Sequence, residues 1–206
     1  MDVLTAAFQV LAAVIVVGGL AKMASPDGFS SLLRTLGLPA GRGLSRASGV
    51  VEVVLGAAAI VLGGRAAALL VGLAYTAFAV VVVLARRSGA ASCGCFGSVA
   101  SPPSLVHVVV NAVSAAVAFA AAVVGPETLV DSLADQPLAA VPYLVTLATA
   151  VWLVVVIDTT GALVADRVTD VARLGPRFRD HGSAAATVPA RTTHRHRTPR
   201  HQDGRN

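Results

Sequence analysis

Five apolar stretches, each about as long as a bilayer is thick, constrain this chain more than anything else in it. They are Val3 to Ala21, Ala47 to Gly64, Ala66 to Ala85, Leu105 to Val124 and Leu138 to Ile157. A spanning helix needs about 20 apolar residues, and in lipid a helix satisfies its own backbone despite a high valine content. A soluble bundle would need a polar outer face on each helix. These stretches have no such face, and only 13% of the 206 residues are charged while 55% are hydrophobic. The expected fold is therefore all-α. It is a multi-pass transmembrane bundle with a four-helix core over residues 1–125, a fifth transmembrane helix within 126–160 and a basic, disordered tail over 161–206. The first stretch is expected to be a retained helix, not a signal peptide. It begins Met1-Asp2, lacks a basic n-region and is too long for a typical h-region.

The net charge is +5, and its distribution carries more information than its sum. Lys22, Arg34, Arg42 and Arg46 fall between the first two stretches, and Arg86 and Arg87 follow the third. The fourth connection has no basic residue but holds Glu127, Asp131 and Asp135, and the segment after Asp158 carries nine arginines. Counting Lys and Arg beside the helix ends places loop 1, loop 3 and the tail in the cytoplasm, with the protein in the cell membrane. The arginines of the tail would favour anionic lipids. Nucleic acid is not an expected partner, because the tail has no folded module or interleaved aromatic residue.

Parity alone gathers the unusual polar groups. In a five-helix serpentine, Lys22, Glu52, Cys93, Cys95, His107, Asn111 and Asp158 all lie toward one membrane face. Glu52 sits on a stripe with Gly49, Gly56 and Gly63, so it should face the bundle. An intramembrane carboxylate is costly and marks either a site or a structural ion pair with Lys22 or a loop arginine. His107 and Asn111 are four apart and share a helix face. The pair reads as a proton acceptor with an orienting amide, or as interhelical hydrogen bonding. Lys22 reads most simply as a snorkelling interface lysine, Asp158 as a helix-end residue and Tyr75 as packing. Phe29, Leu32, Leu33 and Leu36 in loop 1 recur at helical spacing, with Ser25 and Asp27 as candidate caps. That is an amphipathic surface helix, either a lid or a plain connector.

Both cysteines of the chain lie in one glycine-rich stretch, "SGAASCGCFGSVASPP". A Cys-Gly-Cys disulfide closes a very small ring, which strains the bond and suits exchange over stapling. Arg86, Arg87 and a protonated His107 would favour the reactive thiolate. Two thiolates with His107 could instead hold a soft ion such as Cu(I), or the cysteines could be inert. No cofactor is required by these residues, although a quinone or a metal would serve as the next electron carrier or as the ligand.

"CGCFGS" after one apolar helix and "HVVVNAV" opening the next resemble the methylamine utilisation MauE family of small, DoxX-like integral membrane proteins. "GGLAKMASPDGFSSLLRTLGLP" followed by "SGVVEVVLG" is similar to the opening of that family, and the likeness covers about Val3 to Val124. It implies assistance with maturation, processing or transport of the methylamine dehydrogenase beta subunit, which is rich in disulfides. It points to Cys93 and Cys95, with Lys22, Glu52 and Asn111 around them. Val110 stands where the family has an arginine. The implied activity is thiol–disulfide exchange with a disulfide-containing or thioredoxin-like partner. Oxidative maturation wants these thiols outside, whereas charge counting places them inside. Copper handling and non-catalytic assembly are the alternative functions.

Overall fold

A computed structural model describes residues 2–92, 94, 102–135 and 137–160. The expected disordered tail, Cys93 and Cys95 lie outside the described residues. Within them the chain is helical, with five helices long and apolar enough to cross a membrane. They are α1 (Val3–Ala24), α3 (Arg42–Leu62), α4 (Gly64–Arg87), α5 (Leu105–Val124) and α7 (Pro137–Thr160). Two short helices, α2 (Asp27–Thr35) and α6 (Leu129–Asp135), lie in the connections. The protein is a multi-pass membrane protein, as the five apolar stretches require.

The bundle is built inside out. Its centre is mostly small: Ala12, Ala59, Ala68, Ala115, Ala118 and Ala121, filled out by Phe8, Ile15, Val71 and Tyr75. Large aliphatics such as Val51, Val54, Leu62, Leu70 and Leu73 face outward. Lipid tails are as apolar as leucine, so helices associate through close small-residue packing and not by hiding aliphatics.

α1 packs most closely on α3, and α4 on α5. The first contact depends on glycine. A Cβ on Gly49 would stand 2.6 Å from the Gly19 carbonyl oxygen, and one on Gly56 would stand 2.5 Å from that of Ala12. Glu52 lies between these two glycines and therefore turns toward α1. Gly63, the third residue of the stripe, has a different task. It ends α3 at φ +57°, and Gly64 opens α4 with its N–H on the Pro126 carbonyl at 2.7 Å.

α7 is covered by little of the chain. Pro142 does not break it, because it falls in the first α-helical turn after the 3-10 turn Pro137–Ala139, where no N–H partner is required. At one end the Tyr143 hydroxyl donates to Gln9 Oε1 of α1 at 2.6 Å. At the other, Asp158 is buried.

Candidate functional site: a polar cavity at the cysteine end

α1 delivers Lys22 in its last turn, and α3 delivers Glu52 from its glycine-lined face. The two side chains meet although 30 residues separate them: Lys22 Nζ donates to both carboxylate oxygens at 2.6 Å. Ser48 Oγ adds a 3.4 Å bond to Oε1. Lys22 is only 4% exposed and Glu52 7%. The ammonium also sits 5.4 Å from the Phe29 ring centroid and 5.1 Å from that of Phe78, in range for cation–π attraction. Lys22 is therefore not a snorkelling lysine. Its head turns into the bundle because a carboxylate and two ring faces satisfy it there. Glu52 adopts the ion pair with Lys22, one of the two roles open to it.

α5 begins at Ser104, whose hydroxyl pairs with His107 Nδ1 at 2.9 Å. The Ser104 backbone N–H also donates to Nδ1, at 3.3 Å. Together they form a capping box with histidine in the place usually taken by Glu or Gln. Because a backbone N–H can only donate, Nδ1 must accept, and the proton of the neutral ring sits on Nε2. His107 is 2% exposed. One turn on, the Asn111 amide donates to the His107 carbonyl at 2.7 Å.

Lys22, Glu52, Tyr75, His107, Asn111 and Asp158 line a single cavity of about 40 Å³. A water needs roughly 10–15 Å³ of such space, so about three waters fit. A pocket for a drug-sized molecule starts near 300 Å³, so the cavity suits water and protons, not a quinone ring. Among the described residues no three His, Cys, Asp or Glu side chains cluster as metal ligands. The proposed copper set of Cys93, Cys95 and His107 extends beyond those residues.

α2 crosses this end of the bundle. Leu32 is fully buried with Ala85 and Ala90, flanked by Phe29 and Leu36. Neither Ser25 nor Asp27 caps the helix; Pro26 is at the cap position and makes no side-chain bond. Asp27 instead takes a two-pronged bond from Arg42 at 2.7 and 2.8 Å, and Ser30 Oγ meets Ser45 Oγ at 2.9 Å. These bonds tie α2 to the start of α3. Gly94, the residue between the two cysteines, is buried against the start of α2 at φ +63°. A Cβ there would lie 2.5 Å from Phe29 N and 2.6 Å from the Gly28 carbonyl carbon. The same Phe29 presents its ring to Lys22.

A family model described as methylamine utilisation protein MauE matches residues 1–125. The chain belongs to that family. No curated protein and no solved structure matches it. The MauE match spans α1 to α5 and stops short of α6 and α7. It therefore contains Lys22, Glu52, His107 and Asn111 but not Asp158. Reading the chain alone also left Tyr75, Asp158 and Ser104 without a functional role. Tyr75 lies in the cavity wall with its hydroxyl on the Leu11 carbonyl at 2.9 Å. For Asp158 the signal was present in the parity that placed it at this membrane face. For Ser104 it was the position of a serine immediately before an apolar helical run.

Proposed function

We propose that this MauE-family membrane protein assists maturation of a disulfide-containing partner by thiol–disulfide exchange at Cys93 and Cys95. The observation that carries this reading is Gly94. Gly94, between the two cysteines, is seated in a left-handed conformation on α2, the helix whose Phe29 ring faces the Lys22 ammonium. Charged and proton-accepting groups near an exchange pair favour the thiolate, the form that attacks a disulfide. The family description, methylamine utilisation protein MauE, fits a partner from methylamine utilisation such as the methylamine dehydrogenase beta subunit that the sequence resemblance implies, and the same chemistry would serve a thioredoxin-like protein.

In the exchange, a thiolate of the partner attacks one sulfur of an oxidised Cys93–Cys95 pair, and the bond between the two cysteines breaks. A mixed disulfide forms. The second partner thiolate attacks that bond, which closes the partner disulfide and leaves the pair reduced. Two electrons and two protons pass from the partner to the pair, and the reverse sequence reduces the partner. The arginines favour a cytoplasmic position for this end, where a thioredoxin-like protein is the natural counterpart.

The test is trapping. Cys93→Ser and Cys95→Ser variants should each arrest exchange, and one of them should accumulate a reducible mixed disulfide with the partner. Partner maturation that proceeds unchanged in both variants would sink the proposal. Labelling with a membrane-impermeant thiol reagent, before and after permeabilisation and reduction, reads the side of the membrane and the redox state of the pair.

A further inference from the structure

The surface charge of the bundle is divided between its two ends. At the cysteine end Arg34, Arg42, Arg46, Arg86 and Arg87 are all exposed, and Asp27 is the one exposed carboxylate there among the described residues. The opposite end reverses the sign, with Arg65 against Asp2, Glu127, Asp131 and Asp135. Three of the arginines surround the single carboxylate. Arg42 holds Asp27 with hydrogen bonds of 2.7 and 2.8 Å, and the charges of Arg34 and Arg46 also act on that carboxyl. One carboxylate cannot neutralise three guanidinium groups. Arg34, Arg46, Arg86 and Arg87 have no ion-pair partner among the described residues. Packing holds the cluster together. Leu32 of α2 is buried with Ala85 of α4, so the last turn of α2, with Arg34, lies beside the last turn of α4, with Arg86 and Arg87.

We propose that the arginines of α2, α3 and α4 form a docking surface for anionic phospholipid, whose phosphate groups supply the missing negative charge and hold α2 on the bundle. The position of these arginines favours lipid over a soluble anion or an acidic protein. Arg42 and Arg46 stand in the first two turns of α3, and Arg86 and Arg87 in the last turn of α4. Both helices are long and apolar enough to span the membrane, so their charged ends lie at headgroup level. Leu38 and Leu44, close by in the chain, are 50% and 49% exposed. Such apolar surface is covered where headgroups meet acyl chains. Basic side chains at this depth attract an anionic leaflet. α2 also presents Phe29 to Lys22 and seats Gly94, so lipid bound here steadies the helix that lies over the polar cavity. The proposal does not rest on the exchange reading.

The experiment places the full chain in nanodiscs of phosphatidylcholine, alone or mixed with phosphatidylglycerol, and follows backbone hydrogen exchange across α2. Phosphatidylglycerol should slow exchange there in the wild type, by up to about fivefold for each unpaired arginine that the lipid reaches. Raised salt should erase the protection. Arg34→Gln/Arg46→Gln should lose most of it, and Arg34→Lys/Arg46→Lys should keep most of it, because charge is what the lipid reads. Arg65→Gln, at the opposite end, should behave as wild type. Every variant retains the basic tail, so a difference between them reports on the α2–α3 arginines and not on the tail. An α2 exchange rate that ignores phosphatidylglycerol would overturn the proposal, as would equal protection in the wild type and the glutamine variant. Equal protection by inorganic phosphate added to phosphatidylcholine nanodiscs would also overturn it, assigning these arginines to a soluble anion.

Discussion

Lys22 Nζ stands 2.6 Å from both carboxylate oxygens of Glu52, inside the membrane-spanning bundle and beneath the rings of Phe29 and Phe78. Both charges are shielded from bulk solvent, Lys22 at 4% and Glu52 at 7% exposure. Removing one partner of such a buried pair strands the other, at a cost of about 3–5 kcal/mol, whereas replacing both with apolar groups is often neutral. Lys22→Met and Glu52→Gln should each lower the melting temperature in detergent strongly. The double variant Lys22→Met/Glu52→Met should recover much of the loss. A double variant as unstable as the sum of the singles would mean that the two residues do not act as a pair.

The seam between α1 and α3 is set by backbone contact at Gly49 and Gly56. Gly49→Val pushes a side chain onto the Gly19 carbonyl, an overpacking worth about 1–3 kcal/mol. Gly43, exposed in the first turn of α3 with open space around its Cα, is the control. Gly43→Ala should hold or slightly raise stability by restricting the unfolded chain. Thermal unfolding of the two variants side by side checks both signs.

Gly94→Ala meets two obstacles at once: a left-handed backbone, costing a side chain roughly 1–2 kcal/mol, and the backbone of Gly28 and Phe29 within 2.7 Å. The cysteine loop should lift from α2 while the helices stay assembled. The expected result is a loss of thiol exchange with a much smaller change in melting temperature. Equal loss of both would assign Gly94 to the core and not to the loop.

Arg42 holds the Asp27 carboxyl below its usual value of 3.8. Its folded pKa is thus lower than its unfolded one. The pair's contribution is present above the unfolded value and is lost as pH falls through the folded value. Both side chains are well exposed, so the effect is small and screened by salt. Stability measured from neutral pH down to acid should fall less in Asp27→Asn than in wild type. At high salt the two curves should converge.

Much of the architecture was legible because apolar length is a local property. The five stretches were read to within a few residues of the helices, and the Leu105 to Val124 limits coincide with α5. The glycine spacing correctly turned Glu52 toward a neighbouring helix. Lys22 was misread as snorkelling because a lysine at the end of an apolar run looks the same whether its head faces water or a carboxylate 30 residues away. The caps of α2 were misjudged for a related reason: Asp27 had a stronger partner in Arg42, 15 residues on, than in its own helix.

The amino-acid sequence by itself determined the number of spans, their limits and the single membrane face to which the polar residues are drawn. Hydropathy sums along a chain, and alternating direction follows from counting spans. Only the tertiary structure decided which of those residues meet. It paired Lys22 with Glu52, fixed the His107 tautomer through Ser104, seated Gly94 on α2 and brought Asp158 in from a helix beyond the family match. In lipid a buried charge must find its partner across helices, and that choice depends on how closely glycine and alanine let those helices approach.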